Sequence, residues 1–195
     1  MLTTIYLPTR IVFGPGSIGG LGEESRQLGR RALIVTYPDM RRVGVLDRIL
    51  KDLEAKGVAA VVFDRLEPNP RSETVDIGAR VARDEKVDLI IGLGGGSAMD
   101  AAKCIALSSA GTVSIWEHVM GRAKTSGPVP PLIQVPTLAG TGSEGNQIAV
   151  VTEWQSHEKR VLMDPRLWAK VAIIDPEVTV TVPSRQTASG GVDIF

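Results

Sequence analysis

The sequence has one cysteine in 195 residues, so no internal disulfide framework is available to it. Cys104 lies among Ala101, Ala102, Ile105 and Ala106, a setting that predicts a thiol packed into a helical core rather than a reactive one. No charge of one sign dominates either: 22 basic and 22 acidic residues leave a formal net charge of +0. No global field draws nucleic acid or an anionic membrane, and Arg30-Arg31 and Arg41-Arg42 read as short clusters on a solvated surface. No apolar run approaches the ~20 residues that cross a bilayer. The opening MLTTIYLPTR carries no basic region followed by an apolar core. A cytoplasmic location without nucleic-acid or membrane partners is therefore expected. Internal repeats and low-complexity tracts are missing as well. The length fits one domain, or one domain and a fragment of another.

What is present is an alternation of short apolar runs with longer helical patterns. Residues 31–36, 59–63 and 87–93 read as buried strands, and the segments 22–28, 45–56, 72–86 and 97–108 as helices between them. That rhythm predicts an α/β fold, a doubly wound, mostly parallel sheet of Rossmann-like type with helices on both faces. Residues 121–131, rich in Gly and Pro, read as a surface loop or a hairpin, and 131–136 as another buried strand. A hairpin turning near His157, a strand at 171–175 and the beginning of a helix from Pro183 complete the chain.

Two glycine-rich stretches carry the chemistry. Gly92-Leu-Gly-Gly-Gly-Ser97 falls where a strand ends and a helix begins, so the unpaired amides and positive dipole end of that helix can receive a phosphate. Gly94, Gly95 and Gly96 let the backbone approach a pyrophosphate and reach positive φ, while Ser97 can cap the helix or bond a phosphate oxygen. The spacing matches neither the standard dinucleotide fingerprint nor a P-loop, so a tight strand-to-helix turn made for packing remains the alternative. The second stretch, Pro136-Thr-Leu-Ala-Gly-Thr-Gly-Ser-Glu144, offers Thr137, Thr141 and Ser143 to the same crevice. Its alternative is a capped helix start with Glu144 in the first turn.

These residues resemble the iron-containing, or group III, alcohol dehydrogenases. The resemblance rests on Phe13-Gly-Pro-Gly16, Glu67-Pro-Asn-Pro70, Gly94 to Lys103, Pro136 to Glu144, Lys159 ahead of Asp164-Pro165, Asp175-Pro176 and Thr187-Ala-Ser-Gly-Gly-Val-Asp193, which fall in family order along the whole chain. It implies hydride transfer between NAD or NADP and a small alcohol or aldehyde, with a divalent metal, iron or zinc, polarising the substrate oxygen. It also implies a dinucleotide-binding domain over 1–182 and, from 183–195, the start of an all-helical metal-binding domain whose remainder is missing from this chain. Carried over by position, Gly94, Gly95, Gly96 and Ser97 hold the pyrophosphate; Thr137, Leu138, Thr141 and Lys159 line the cofactor site; Asn69 lies near its adenosine side. Asp100 is a candidate substrate-side contact. Asp193 matches the first metal ligand, whose partner histidine follows four residues on, past the last residue here. His118 and His157 match no ligand and are expected to be solvated. Relatives are commonly dimers or larger, so a homodimer or higher oligomer is expected.

Two departures accompany the match. Tyr37 stands where the family often has an acidic residue that reads the adenosine ribose, with Asp39 two residues on, which leaves NAD against NADP open. Leu138 replaces a second threonine found in many relatives. A stand-alone nucleotide-binding module without turnover is the alternative to the dehydrogenase half, and the related lyases and glycerol-type dehydrogenases of this fold form a third reading that the motif wording fits less well.

Overall fold

Apolar runs buried on both faces become the strands of a parallel sheet. The computed structural model describes residues 3–4 and 6–194; Met1, Leu2 and Ile5 of the opening stretch, and Phe195 at the end of the expected second-domain segment, lie outside the described residues. In chain order the elements are β1 (Arg10–Phe13), α1 (Leu21–Leu28), β2 (Arg31–Val35), α2 (Asp39–Arg42), α3 (Val45–Ala55), β3 (Ala59–Phe63), α4 (Ser72–Asp84) and β4 (Leu89–Gly94), followed by α5 (Gly96–Ser109), α6 (Ile115–Val119), β5 (Leu132–Pro136), β6 (Ile148–Glu153), β7 (Glu158–Met163), β8 (Val171–Ile174) and α7 (Ser184–Asp193).

Six strands form one sheet in the order β1-β8-β5-β4-β2-β3, every pair parallel. Side-chain alternation divides the core between the two faces. Ile34, Ile91 and Ile133 pack with Leu21 of α1 and Leu46, Ile49 and Leu53 of α3. Leu33, Ile90 and Leu132 pack on the other face with α4, α5 and Ile115 of α6. This is the doubly wound arrangement. Because β3 lies outside β2 while β4 and β5 lie on its other side, the winding reverses between β2 and β4, and ligands of such sheets sit at that reversal, beyond the carboxyl ends of the strands.

The hairpin of β6 and β7 is antiparallel and separate from the sheet. It is tied to the segment before α4: the Thr152 amide donates to the Pro70 carbonyl at 2.8 Å, and the Arg71 guanidinium stacks 3.6 Å from the centre of the Trp154 ring. Asp175, fully buried after β8, accepts the amides of Gly16 and Ile18, each at 3.1 Å, and of Glu177 at 3.0 Å. That carboxylate explains why the Phe13-Gly-Pro-Gly16 and Asp175-Pro176 motifs occur together.

Against the sequence expectations, one strand is added, one histidine is corrected, and the readings of residues 121–131, His157 and Cys104 agree. β1 is an edge strand that the sequence pattern does not announce, since its residues are largely exposed. Residues 121–131 form an irregular loop, the first of the two expected alternatives. His118 is not solvated: it is 8% exposed in α6, with Nδ1 3.2 Å from the Ala123 carbonyl. His157 is exposed in the hairpin turn, as expected. Cys104 is fully buried, and burial pushes its thiol well above the ordinary value.

Candidate cofactor cleft

β4 ends in a sharp turn, and its glycines have different tasks. Gly94 adopts φ +145°, the one positive value among the three glycines read as permissive, and its carbonyl accepts the Thr137 amide at 3.0 Å. This bond sets the two glycine-rich loops side by side. Gly94 is buried and does not border the cleft. Gly92, inside the strand, is there for packing: a Cβ would stand 2.1 Å from Oε1 of the buried Gln134. Gly95 has ordinary negative φ and precedes the helix, and Gly96 is its first residue. Ser97 therefore sits within the first turn rather than capping it. The first-turn amides of Gly96 and Ser97 have no carbonyl behind them in the helix to bond, and both residues line the cleft.

A cleft of about 600 Å³ lies at the reversal of the winding. It brings together Gly95 just before α5, Gly96, Ser97 and Asp100 from α5, Thr137, Leu138 and Thr141 from the loop after β5, and Asn69 and Lys159. Lys159 Nζ donates to Asn69 Oδ1 at 3.1 Å, which joins the hairpin to the Glu67–Pro70 segment on one wall. Tyr37 lines the cleft beyond β2, and burial raises its phenol above the ordinary value. A smaller cavity of about 270 Å³ adjoins it, sharing Met40, Thr137, Val182 and Gln186, with Asp39 and Arg42 at its border. Asp39 and Arg42 are paired at 3.2 Å, both largely exposed.

Ser143 is not offered to the cleft. It is 4% exposed in a 3-10 turn, Ser143–Gly145, which stands where a capped helix was the alternative. Its hydroxyl donates to Asp100 Oδ1 at 2.7 Å and accepts from Lys103 Nζ at 2.9 Å. Lys103 is fully buried and also donates to Asn146 Oδ1 at 3.0 Å and the Ile148 carbonyl at 2.7 Å. Burial pushes its ammonium down to about 8. Asp100 borders the cleft but is already engaged, its Oδ2 accepting the Val150 amide at 3.0 Å; burial raises its carboxyl against the pull of these bonds. The sequence motif contains Lys103, yet nothing in its composition signals that the side chain turns inward.

Asp193 ends α7, exposed and away from the cleft lining. Among the described residues no group of three or more His, Cys, Asp or Glu side chains is placed to hold a metal ion. The residues present therefore do not make a metal site. No helix among them is long and apolar enough to cross a membrane.

The family model for iron-containing alcohol dehydrogenase matches residues 8–176. The chain is 38% identical over 193 residues to a choline dehydrogenase of Bacillus subtilis (strain 168), covering 97% of this chain and 48% of that protein. It is 38% identical over 197 residues to NADH-dependent butanol dehydrogenase A of Clostridium acetobutylicum, covering 100% of this chain and 50% of that protein. The solved NADH-dependent butanol dehydrogenase A of Thermotoga maritima superposes with a TM-score of 0.93 at 34% identity, over 98% of this chain and 48% of that one. A sulfoacetaldehyde reductase from Bifidobacterium kashiwanohense, solved in complex with NAD+, gives 0.89 at 32% identity, over 99% of this chain and 51% of that one. The chain spans about half the length of the curated relatives it matches. With this fold, this order of motifs and these matches, the chain belongs to the iron-containing alcohol dehydrogenase family, a family of oxidoreductase enzymes.

Proposed function

We propose that the cleft binds a nicotinamide dinucleotide and that this chain is the cofactor-binding half of a dehydrogenase acting on a small alcohol or aldehyde. The observation that carries the reading is the convergence of Gly95, Gly96 and Ser97 with Thr137 and Thr141 around one cleft at the winding reversal. In this reading the amides of Gly96 and Ser97, with the α5 dipole behind them, take the pyrophosphate. Thr137 and Thr141 serve ribose or phosphate oxygens, Leu138 gives an apolar wall, and Lys159 with Asn69 orients the other end. The nicotinamide, when bound, supplies or accepts the hydride.

The adjoining cavity, with Met40 and Val182 on its wall, is assigned to the adenine, which places Asp39 rather than Tyr37 near the adenosine ribose. This moves the adenosine end away from Asn69. Residues 1–182 are read as the dinucleotide-binding domain and 183–195 as the start of a second one. The exposed Val180, Val192 and Ile194, the last of them lining the groove between α7 and Leu138, support that division. Asp193 is the single metal ligand this segment offers, and one exposed carboxylate supports no metal step.

The test is calorimetric titration of the purified protein with NADH and NADPH, followed by assay of alcohol oxidation with NAD+. Saturable binding near one dinucleotide per chain supports the assignment, and no binding of either cofactor overturns it.

A further inference from the structure

A lysine with no exposed surface is costly unless every proton finds an acceptor. Lys103 has three N–H groups and three acceptors: Ser143 Oγ, Asn146 Oδ1 and the Ile148 carbonyl. Ser143 belongs to the second glycine-rich loop, and Asn146 and Ile148 to the stretch that follows it into β6, whereas Lys103 itself belongs to α5, which follows the first. Since the ammonium donates to Ser143 Oγ, the Ser143 proton must point to Asp100, and Asp100 in turn accepts the Val150 amide at the cleft wall. We infer that Lys103, as an ammonium, is a positioning residue that holds the Thr137–Glu144 loop in register with the amino end of α5, and so sets the width of the dinucleotide cleft without touching the dinucleotide. The inference rests on the reading of that cleft as a cofactor site.

The neutral amine has two donors and a lone pair, so one of the three acceptors then faces a lone pair and the loop loses an anchor. Asp100 lies 3.9 Å from Nζ, and Glu144 and Cys104 are the other titratable groups acting on it. Asp76 of α4 acts on Cys104 instead, and β4 and β5 carry no titratable side chain. Glu117 and His118 of α6, and Arg166 of the 3-10 turn Pro165–Leu167, make no bond with Lys103 among the described residues. Lys103 titrates near about 8 in the folded protein, below its ordinary 10.5. Between those values the folded state binds fewer protons than the unfolded one, so this group makes fold stability rise with pH while its loss of charge loosens the cleft. A purely structural lysine does not separate the two.

The experiment is NADH affinity of the purified protein between about pH 7 and about pH 9.5, for the wild type, Lys103→Met and Lys159→Met, with urea midpoints alongside. The inference expects the wild-type Kd to rise about tenfold through the region near pH 8 without a matching fall in midpoint, the scale of one lost charged hydrogen bond. Lys103→Met is expected to show the weakened affinity at every pH with no step, and Lys159→Met to keep the step. Should Lys103→Met not fold, the wild-type profile against Lys159→Met decides alone, since a step lost in Lys159→Met assigns it to the cleft-facing lysine. Wild-type binding that is flat across this range overturns the inference and leaves the cleft assignment standing. No NADH binding at pH 7 overturns both.

Discussion

Gly92 and Gly96 belong to one glycine run and fail differently when given a side chain. Gly92→Ala drives a methyl against Gln134 Oε1 and within 2.9 Å of Ala102 Cβ, at the contact of strand and helix. Overpacking of this kind costs about 1–3 kcal/mol, which urea denaturation will read as a lower midpoint. Gly96→Ala meets only Thr141, at 3.1 Å on an exposed loop, and alanine favours the helix it enters. Its midpoint is expected to stay within about 0.5 kcal/mol of wild type. The methyl nevertheless stands between the two loops, so NADH affinity is expected to fall several-fold; equal affinity would show that no phosphate lies there. Asp39→Asn removes a charge at the border of the smaller cavity, which we assign to the adenine. The ratio of NADPH to NADH affinity is expected to shift several-fold toward NADPH, and an unchanged ratio would place the ribose elsewhere. At this scale the sequence is only partly legible. The glycines and threonines can be read because backbone approach and hydroxyls are visible as residue types. The inward turn of Lys103 and the engagement of Ser143 cannot, because they depend on how the second glycine-rich loop and the start of β6 come to rest beside α5.

Elements are more legible than side chains in this fold. Strands buried on both faces must be continuous apolar runs, so β2, β4 and β5 stand out from their residue types alone, and the amphipathic spacing of α3 and α4 does the same. β1 escapes because it is short and lies at an edge, and α6 because a five-residue helix capped by Ser114 has too few turns to show a period. The ties between elements are carried by single buried groups. Asp175→Ala leaves the amides of Gly16 and Ile18 without their acceptor under the edge of the sheet, and a loss of about 2–5 kcal/mol is expected in urea. Asp175→Asn keeps one oxygen and is expected to lose less. Equal loss in both variants would mean that the charge, not the geometry, holds the β1 turn.

For the molecule as a whole, the sheet supplies a rigid frame, and the site lies where the frame's winding reverses. The glycine and threonine side of the cleft comes from loops and a helix start beyond the strand ends of the sheet, with the β6–β7 hairpin adding Val150 and Lys159, which is why the fold class could be read from periodicity while the site's assembly needed the order of the strands. The relatives are about twice as long, and Asp193 has no companion ligands among the described residues, so the proposed cofactor binding is tested on this chain by a binding measurement rather than by turnover. The measurement that tests the account most directly is calorimetric titration of the wild type and of Gly96→Ala with NADH at pH 7. The account predicts saturable binding by the wild type, near one per chain, and a several-fold weaker affinity in the variant with its urea midpoint preserved. No heat of binding in the wild type, or identical affinity in the two, would contradict it.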